Sequence, residues 1–398
     1  MELTKRENDL ANLEEEYQQL PWLKLVHGSL FNYLRNNFID RAELIKTSQA
    51  ENHLYQLDYE ESLDLRPAIC EQEIHRGLKA KEGKFNFTVP FAAVVKDVEL
   101  WGTYAVGFTP ERKVILETTL DRVDCLEYSV IDTLKQGFNF QYLKPVSEAC
   151  HIDLACSFVN YWSHLYAHWF LESLTRLEAL ENYIQKTGDK PVLIIDPHPP
   201  IWKIRSLNLM GYRLEDCIQW HGFRAKVNEL IICSKRREDG RASVKACHWL
   251  RERILTNLYN DTSSNTTNIT LNPNVFISRR KANARRIVNE EEVINTLDKL
   301  DFSTYVLEDL DWDTQVKIFA QAQFIVTPHG GGVTNIVFSQ NINIIEIFGQ
   351  KVSHFYYTIA QGLGFNYACM FCEAKGADII INCDELGKLI HKMRKNLY

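Results

Sequence analysis

Three consecutive glycines, Gly330, Gly331 and Gly332, lie in "IVTPHGGGVTN" between a short apolar run and an apolar segment with helical spacing. A backbone stripped of side chains lets another group approach closely. The N–H groups and positive dipole end at a helix start suit an anion such as phosphate. A Walker A loop needs a Lys directly after its last glycine, and Val333 stands there instead. A dinucleotide fingerprint needs a final small residue where Asn335 stands. An esterase oxyanion hole built from HGGG needs a GxSxG elbow, and no serine in the chain has glycine two residues away on both sides. A phosphate cradle outside these three motifs, or a turn that only reverses the chain, remains.

A second group of residues supplies positive charge. In "ISRRKANARRIVNEEEV", Arg279, Arg280, Lys281, Arg285 and Arg286 place five cations in eight positions just after an apolar run. A guanidinium is a permanent fork of donors able to grip a diphosphate in two places. Arg279, nearest the strand end, is the strongest candidate, whereas Lys281, Arg285 and Arg286 taken singly read equally well as solvated surface. Asn289 with Glu292 has the spacing of a helix N-cap and capping box. Glu346, in "NIIEIFG", either accepts hydrogen bonds from ribose hydroxyls or is a partly buried acid paired with a base.

Proton transfer has candidates in "SHLYAHWFLES", where His164, His168 and Glu172 recur every four residues and would share one helix face. An imidazole paired with a carboxylate makes a proton acceptor near neutral pH, so His168 or Glu172 is the candidate base. A polar face bonded to its surroundings is the competing reading, and a metal triad is less well supported. Trp162, Tyr166 and Trp169 either offer a platform for a sugar ring or belong to a core. Asp311 and Asp313 in "LDWDTQ" have the form of a D-x-D metal ligand pair, but they immediately precede a helical pattern, where an Asp is the expected N-cap.

Elements that position these residues fall into three stretches. Residues 1–60 are charged with helically spaced Leu10, Leu13, Tyr17 and Leu20, and read as a helical extension. Residues 61–235 mix strand-like runs ("FAAVV", "KVILE", "PVLIID") with one long helix over "NYWSHLYAHWFLESLTRLEALENYI", and read as an α/β domain. Residues 236–398 alternate "VFIS", "TYVL", "FIVT" and "NIIEIF" with helices near 289–299, 313–322 and 333–339. That alternation predicts a parallel sheet covered on both faces, with the glycine loop at a strand's C-terminal end, where such sheets bind ligands.

Composition narrows the class. The 398 residues carry 45 Lys and Arg against 52 Asp and Glu, a net charge of -7, so no global attraction to nucleic acid is expected. Any anion must be caught locally. The ten cysteines are scattered and lack a second CxxC beside Cys369 and Cys372, which reads as reduced thiols rather than a zinc site. No apolar run of about 18 residues and no signal-type N-terminus occurs, so the expectation is a cytoplasmic protein without an integral membrane span. The Asn-rich "YNDTSSNTTNIT" reads as a polar loop.

These motifs together carry a resemblance. "ISRRKANARRIVNEEEV", "DTQVKIFAQAQFIVTPHGGGVTNIVFSQNINIIEIFG" and "FYYTIAQGLGFNY" resemble the family 61 glycosyltransferases, and "AHWFLESLTRLEAL" is similar to that family's H-W-x-x-[DE]-x-x-x-R-L segment. Gly331 stands for the family's Ala and Val333 for its Leu. The resemblance implies a GT-B-like α/β fold, two Rossmann-like domains facing across a cleft. It also implies an inverting enzyme that moves a sugar from a nucleotide donor, usually UDP-linked, to a hydroxyl acceptor. Carried over by position, Arg279, Arg280, Gln315, His329, Gly330, Gly331, Gly332, Thr334, Asn335 and Glu346 would bind the donor, with His329 donating to a phosphate oxygen. His168 and Glu172 would be catalytic, and Arg176 would line the cleft. No cofactor or metal is then expected, because the arginines and the loop hold the diphosphate. The acceptor is expected to be a glycan or other hydroxyl compound in polysaccharide biosynthesis, and the 1–60 arm could pair with a second copy. The alternative class is a non-catalytic nucleotide-sugar or anion binder in a glycan assembly system.

Overall fold

The computed structural model describes residues 32, 34, 36–135, 150–222, 224–261 and 271–395. The first part of the expected helical extension, 1–31, and most of the polar loop, 262–270, lie outside the described residues. The described residues pack as two units, one from within 1–59, 89–200 and 212–236, the other from within 60–88, 201–211 and 237–398.

Unit 1 is built on strands β1 (Phe38–Ile39), β2 (Leu54–Gln56), β3 (Phe91–Trp101), β4 (Val106–Phe108), β5 (Val114–Ile115), β6 (Cys150–Ser157), β7 (Val192–Ile195), β8 (Cys217–Gln219) and β9 (Ala225–Cys233). Their order is β1-β5-β4-β3-β9-β6-β7-β8, with β2 also on β3. Strands β9, β6, β7 and β8 run parallel, while β3 lies antiparallel to β9, β2 and β4. The sheet is therefore mixed, where a Rossmann-like domain was expected. Short turns join β3 to β4 and β4 to β5, and a short connection can only return a strand antiparallel. The described part of 1–60 is not a separate arm either. Strands β1 and β2 pair into the sheet, and helix α1 (Arg41–Ala50), capped by Asp40 Oδ1 accepting from Glu43 N–H at 2.8 Å, buries Leu44 in the same core. Buried Arg41 pairs with buried Glu117 at 2.9 Å, tying α1 down.

Helix α2 (Val123–Lys135) precedes β6, and the expected long helix after β6 is broken. Residues 161–165 form a turn and bend, Tyr166–His168 one short α turn, Trp169–Ser173 a π turn, Leu174–Arg176 a 3-10 turn, and only then does α3 (Leu177–Thr187) run regularly. All residues from Trp169 to Leu177 are buried, which a single amphipathic stripe cannot achieve. Widening to π and tightening to 3-10 re-aims successive side chains. Gly188, at φ 82, then ends α3 with its N–H on Ile184 C=O at 2.8 Å.

Unit 2 holds an all-parallel sheet of β10 (Asn274–Ser278), β11 (Ser303–Val306), β12 (Phe324–Pro328), β13 (Asn343–Phe348) and β14 (Asn366–Phe371), in the order β11-β10-β12-β13-β14. This is the doubly wound order 2-1-3-4-5, whose direction reverses between β10 and β12, and ligands of such sheets bind beyond the strand ends at that point. Its helices include α4 (Val244–Asn260), α5 (Glu290–Asp298), α6 (Trp312–Gln321), α7 (Phe355–Gly362) and α8 (Cys383–Lys395). Val293 and Leu297 of α5 and Leu386, Leu389, Ile390 and Met393 of α8 share one core with Phe276, Val326, Ile345 and Ala368 of the sheet.

Segment Glu60–Thr88, drawn with the first α/β domain from the sequence, packs in unit 2. Ile69 bridges to Ala368 at the free edge of β14, exchanging bonds of 3.1 Å and 2.9 Å with Tyr367 and Cys369. Buried Glu61 accepts from Ser243 Oγ and Val244 N–H, both at 2.5 Å, at the positive end of α4. These contacts span more than 180 positions and no local pattern announces them.

Candidate functional site

The glycine loop leaves β12 at the switch point. Gly330 is extended, at φ 175 and ψ 173, so backbone conformation alone does not demand glycine there. Space does: a Cβ on Gly330 would sit 1.8 Å from Nη1 of Arg279, which follows the end of β10. A Cβ on Gly332 would meet Leu307 Cδ1 at 2.6 Å, whereas one on Gly331 would meet nothing within 4 Å. At two of the three glycines a Cβ would displace the end of a packed side chain, and the position where the family carries Ala has room for it. The segment after the loop, Gly331–Phe338, is a 3-10 helix rather than the α-helix expected.

Local pairing sorts the cations. Arg280 lies 3.1 Å from Glu290, Lys281 pairs with Asp309, and Arg286 grips Asp378 at 2.8 Å. Arg280 is therefore turned to the start of α5 and not joined to the loop. Arg279 and Arg285 have no carboxylate within ion-pair distance among the described residues. Arg279 donates from Nη2 to Ala284 C=O at 3.2 Å, and its buried Nε has no hydrogen-bond partner among the described residues. Burial, and next the nearby Arg285 guanidinium, draw the Arg279 pKa below its ordinary value. Two like charges in proximity, with Glu308 acting on Arg279 only from beyond ion-pair distance, favour an anion between them. Arg285 is a member that the sequence could not separate from Arg286, because the acid that neutralises Arg286 is 92 positions away.

Beside the arginines, His329 Nδ1 meets Glu346 Oε1 at 2.5 Å, and Glu346 Oε2 accepts from Tyr367 Oη at 2.6 Å. Glu346 is fully buried, with both oxygens engaged, so it orients His329 and is not open to a ribose. Of its two readings from sequence, the buried acid is the one realised. Nε2 of His329 has no hydrogen-bond partner among the described residues, and the ring lies between Phe348 and Tyr356 at centroid distances of 5.3 and 5.5 Å. Tyr356 bonds Thr334 Oγ1 at 3.1 Å. Burial pushes its hydroxyl up to about 12, against the pull of Arg237 and Arg285.

Other predicted members hold the loop rather than face it. Gln315 Nε2 donates to the Leu307 and Leu310 carbonyls at 2.9 and 3.2 Å, and its Oε1 accepts from Asn335 at 3.4 Å, fastening α6 to the 3-10 helix. Thr334 and Asn335 are fully buried. Asp311 caps α6 by accepting from Thr314 N–H at 2.8 Å, and Asp313 binds Arg205 at 2.8 Å, so the D-x-D pair is occupied by protein partners. No group of three or more His, Cys, Asp or Glu able to hold a metal occurs among the described residues. Asn289 does not cap α5 with its side chain; it bonds the Ile381 backbone through both amide atoms, at 2.8 and 3.0 Å, as a strand neighbour would.

In unit 1, His168 Nδ1 meets Glu172 Oε2 at 2.6 Å. Glu172 is buried and His168 partly open, with its Nε2 lacking a hydrogen-bond partner among the described residues. The imidazole stacks on Trp162, centroids 5.4 Å apart at 18°, and Arg122 covers Trp162 at 4.5 Å. His164 falls in the turn before the helix and so does not share its face. Trp169 is fully buried, in the core. Arg176 is buried as well, over the Phe158 ring at 4.7 Å and bonded to Ser157 C=O at 3.1 Å, so it does not line an open site.

Residues 166–344 match the family model Glycosyltransferase 61. The chain carries a glycosyltransferase 61 domain. As a glycosyltransferase it takes a sugar donor and an acceptor. The matched span opens at the short helix bearing His168 and closes in β13 just before Glu346, so it takes in the histidine pair of unit 1 and the glycine loop of unit 2. No curated protein matches the chain. No helix among the described residues is long and apolar enough to cross a membrane.

Proposed function

We propose that this glycosyltransferase moves a sugar from a nucleotide donor, UDP-linked as the resemblance implies, to a hydroxyl acceptor, with inversion and without a metal. Glycan or polysaccharide synthesis is the setting that fits. In this reading the fold is GT-B-like in its division of labour, with unit 2 binding the donor and unit 1 supplying the base. The observation that carries it is Arg279, packed against Gly330 at the switch point of a 2-1-3-4-5 sheet, with Arg285 acting on it and neither arginine in an ion pair with a carboxylate among the described residues. A diphosphate supplies the missing negative charge, and two guanidiniums do the work that a divalent cation does elsewhere.

The chemistry follows from the two histidine pairs. His168, held through Nδ1 by Glu172, takes the acceptor hydroxyl proton at Nε2. The acceptor oxygen attacks the anomeric carbon from the face opposite the nucleotide, the bond from that carbon to the phosphate oxygen breaks, and the electron pair leaves on the diphosphate. Arg279, Arg285 and the start of the 3-10 helix stabilise that charge, with His329 Nε2 the remaining polar atom for a phosphate oxygen. All ten cysteines are free thiols, which fits a reducing compartment such as the cytoplasm.

Thermal shift with a panel of nucleoside diphosphates and nucleotide sugars, with Mg or Mn and again with EDTA, tests the donor site. Binding at a hundredfold the Kd adds about 2.7 kcal/mol of stability. A shift with one UDP-sugar that survives EDTA is expected. A shift abolished by EDTA would overturn metal independence, and no shift with any nucleotide would overturn the donor site.

A further inference from the structure

Three tyrosines of unit 1 meet from separate parts of the chain. Tyr104 comes from the turn between β3 and β4, Tyr128 from α2, and Tyr161 from the turn after β6. Tyr128 stacks on Tyr161 with centroids 5.1 Å apart at 28°, and Tyr104 leans on the same Tyr161 ring at 5.2 Å. None is fully buried, unlike Trp169 or Phe158 in the core. Two carboxylates border them. Tyr104 Oη donates to Asp132, and Asp196, just beyond β7, accepts from Ser163 Oγ at 2.6 Å. Burial most, and then the Asp132 carboxylate, push the Tyr104 hydroxyl up, with Asp196 near enough to add to the effect. The turn carrying Tyr104 also holds Ala105 at φ 50, a conformation a non-glycine residue seldom adopts.

Half-open aromatic rings ringed by carboxylates suit one class of ligand. A pyranose offers a face of C–H groups to an aromatic ring and a rim of hydroxyls to carboxylate oxygens, whereas a Pro-rich peptide, which also docks on aromatic rings, brings few donors for the carboxylates, and a lipid needs an apolar surface. The cluster is also connected to the candidate base. Tyr128 meets Trp162 edge-on at 6.2 Å, and Trp162 stacks on His168.

We propose that Tyr104, Tyr128 and Tyr161, with Asp132 and Asp196, bind the acceptor, and that this acceptor is a saccharide. This rests on the transferase reading above. Trp162 keeps the tyrosines in register with His168, so a sugar on the platform brings a hydroxyl to the base.

Labelled protein is applied to an array of immobilised pentose, hexose and N-acetylhexosamine oligosaccharides, as wild type, Tyr161→Ala, Tyr161→Phe and Arg285→Ala. Wild type, Tyr161→Phe and Arg285→Ala are expected to bind the same saccharides, and Tyr161→Ala to lose at least about tenfold in signal, a 1.4 kcal/mol change that removal of a stacked ring readily produces. Melting temperature, and the shift with UDP-sugars, are read on each variant to separate misfolding from loss of the site. If Tyr161→Ala is unfolded, Asp196→Asn takes its place, with the same tenfold loss expected. Wild type that binds no saccharide, or a folded Tyr161→Ala or Asp196→Asn variant that binds as wild type does, overturns the proposal. A chain that responds to a nucleotide sugar but to no saccharide fails on the acceptor alone; one that binds saccharides through Tyr161 but no nucleotide fails on the donor reading alone.

Discussion

Arg279 and Gly330 occupy one another's space: the guanidinium lies where a side chain on Gly330 would begin, 1.8 Å from the Cβ position. A methyl group there must expel the arginine, since the loop backbone is pinned by His329 N–H on Ile347 C=O at 2.9 Å. Gly330→Ala is therefore expected to weaken nucleotide binding as Arg279→Ala does, by about 1.5–3 kcal/mol for a lost hydrogen bond to a charged group. Gly331→Ala, with open space, is expected to bind normally. Isothermal titration of both variants with UDP checks this, and equal affinities would remove Arg279 from the site.

Arg285 and Arg280 give a second contrast. Arg280 has Glu290 as its partner and an exposed side chain, so Arg280→Ala should change nucleotide affinity by less than ~1 kcal/mol. Arg285→Ala removes an unneutralised charge and should cost about 1.5–3 kcal/mol. The same titration ranks them, and the reverse order would contradict the assignment of charges.

Much of unit 2 was legible along the chain because its signals are local. Apolar runs such as "NIIEIF" alternate with amphipathic stretches, and a parallel sheet follows from that alternation. The glycine loop could be placed at a strand end for the same reason. Which arginine stays uncompensated was not legible, because Asp378, Glu290 and Asp309 reach their partners only through the fold. Glu346 could not be assigned from sequence between a ribose contact and a paired buried acid, since Tyr367, which covers it, lies on the next strand. In unit 1, the break after His168 was hidden by a sequence whose residues are all acceptable helix formers, and the burial that drives the π turn is tertiary.

Tyr367 donates its hydroxyl to Glu346 in a fully buried place. Tyr367→Phe keeps the ring and leaves one carboxylate oxygen without its donor. A loss of roughly 1–3 kcal/mol in stability is expected, the cost of an unsatisfied buried polar group. Urea denaturation measures it, and an unchanged midpoint would mean that water replaces the hydroxyl.

His354 supplies a pH dependence. Burial first, then Lys81 and Arg237, pull its pKa down from 6.5 to about 4. The folded state disfavours the proton, so this group's contribution is present above its unfolded value of 6.5 and is lost as the pH falls through about 4. Stability should decline with acidification across that window. His354→Asn, which cannot take up the proton, should show a shallower decline, read from denaturation midpoints at neutral pH and at several acidic values down to about pH 4.

His168 is the test of where the base lies. It lies in unit 1 and its ring touches Trp162 and Glu172, while every candidate donor contact belongs to unit 2. His168→Ala should therefore leave the thermal shift with nucleotide unchanged and lower transfer by about 10²–10⁴, the usual contribution of a positioned base. Glu172→Gln keeps the ring in place but weakens its pairing, so it should fall between the two, with its pH–rate profile displaced. Transfer unaffected in His168→Ala would put the base elsewhere. Loss of nucleotide binding in the same variant would mean that the histidine pair serves the donor, and the division of labour between the units would have to be redrawn.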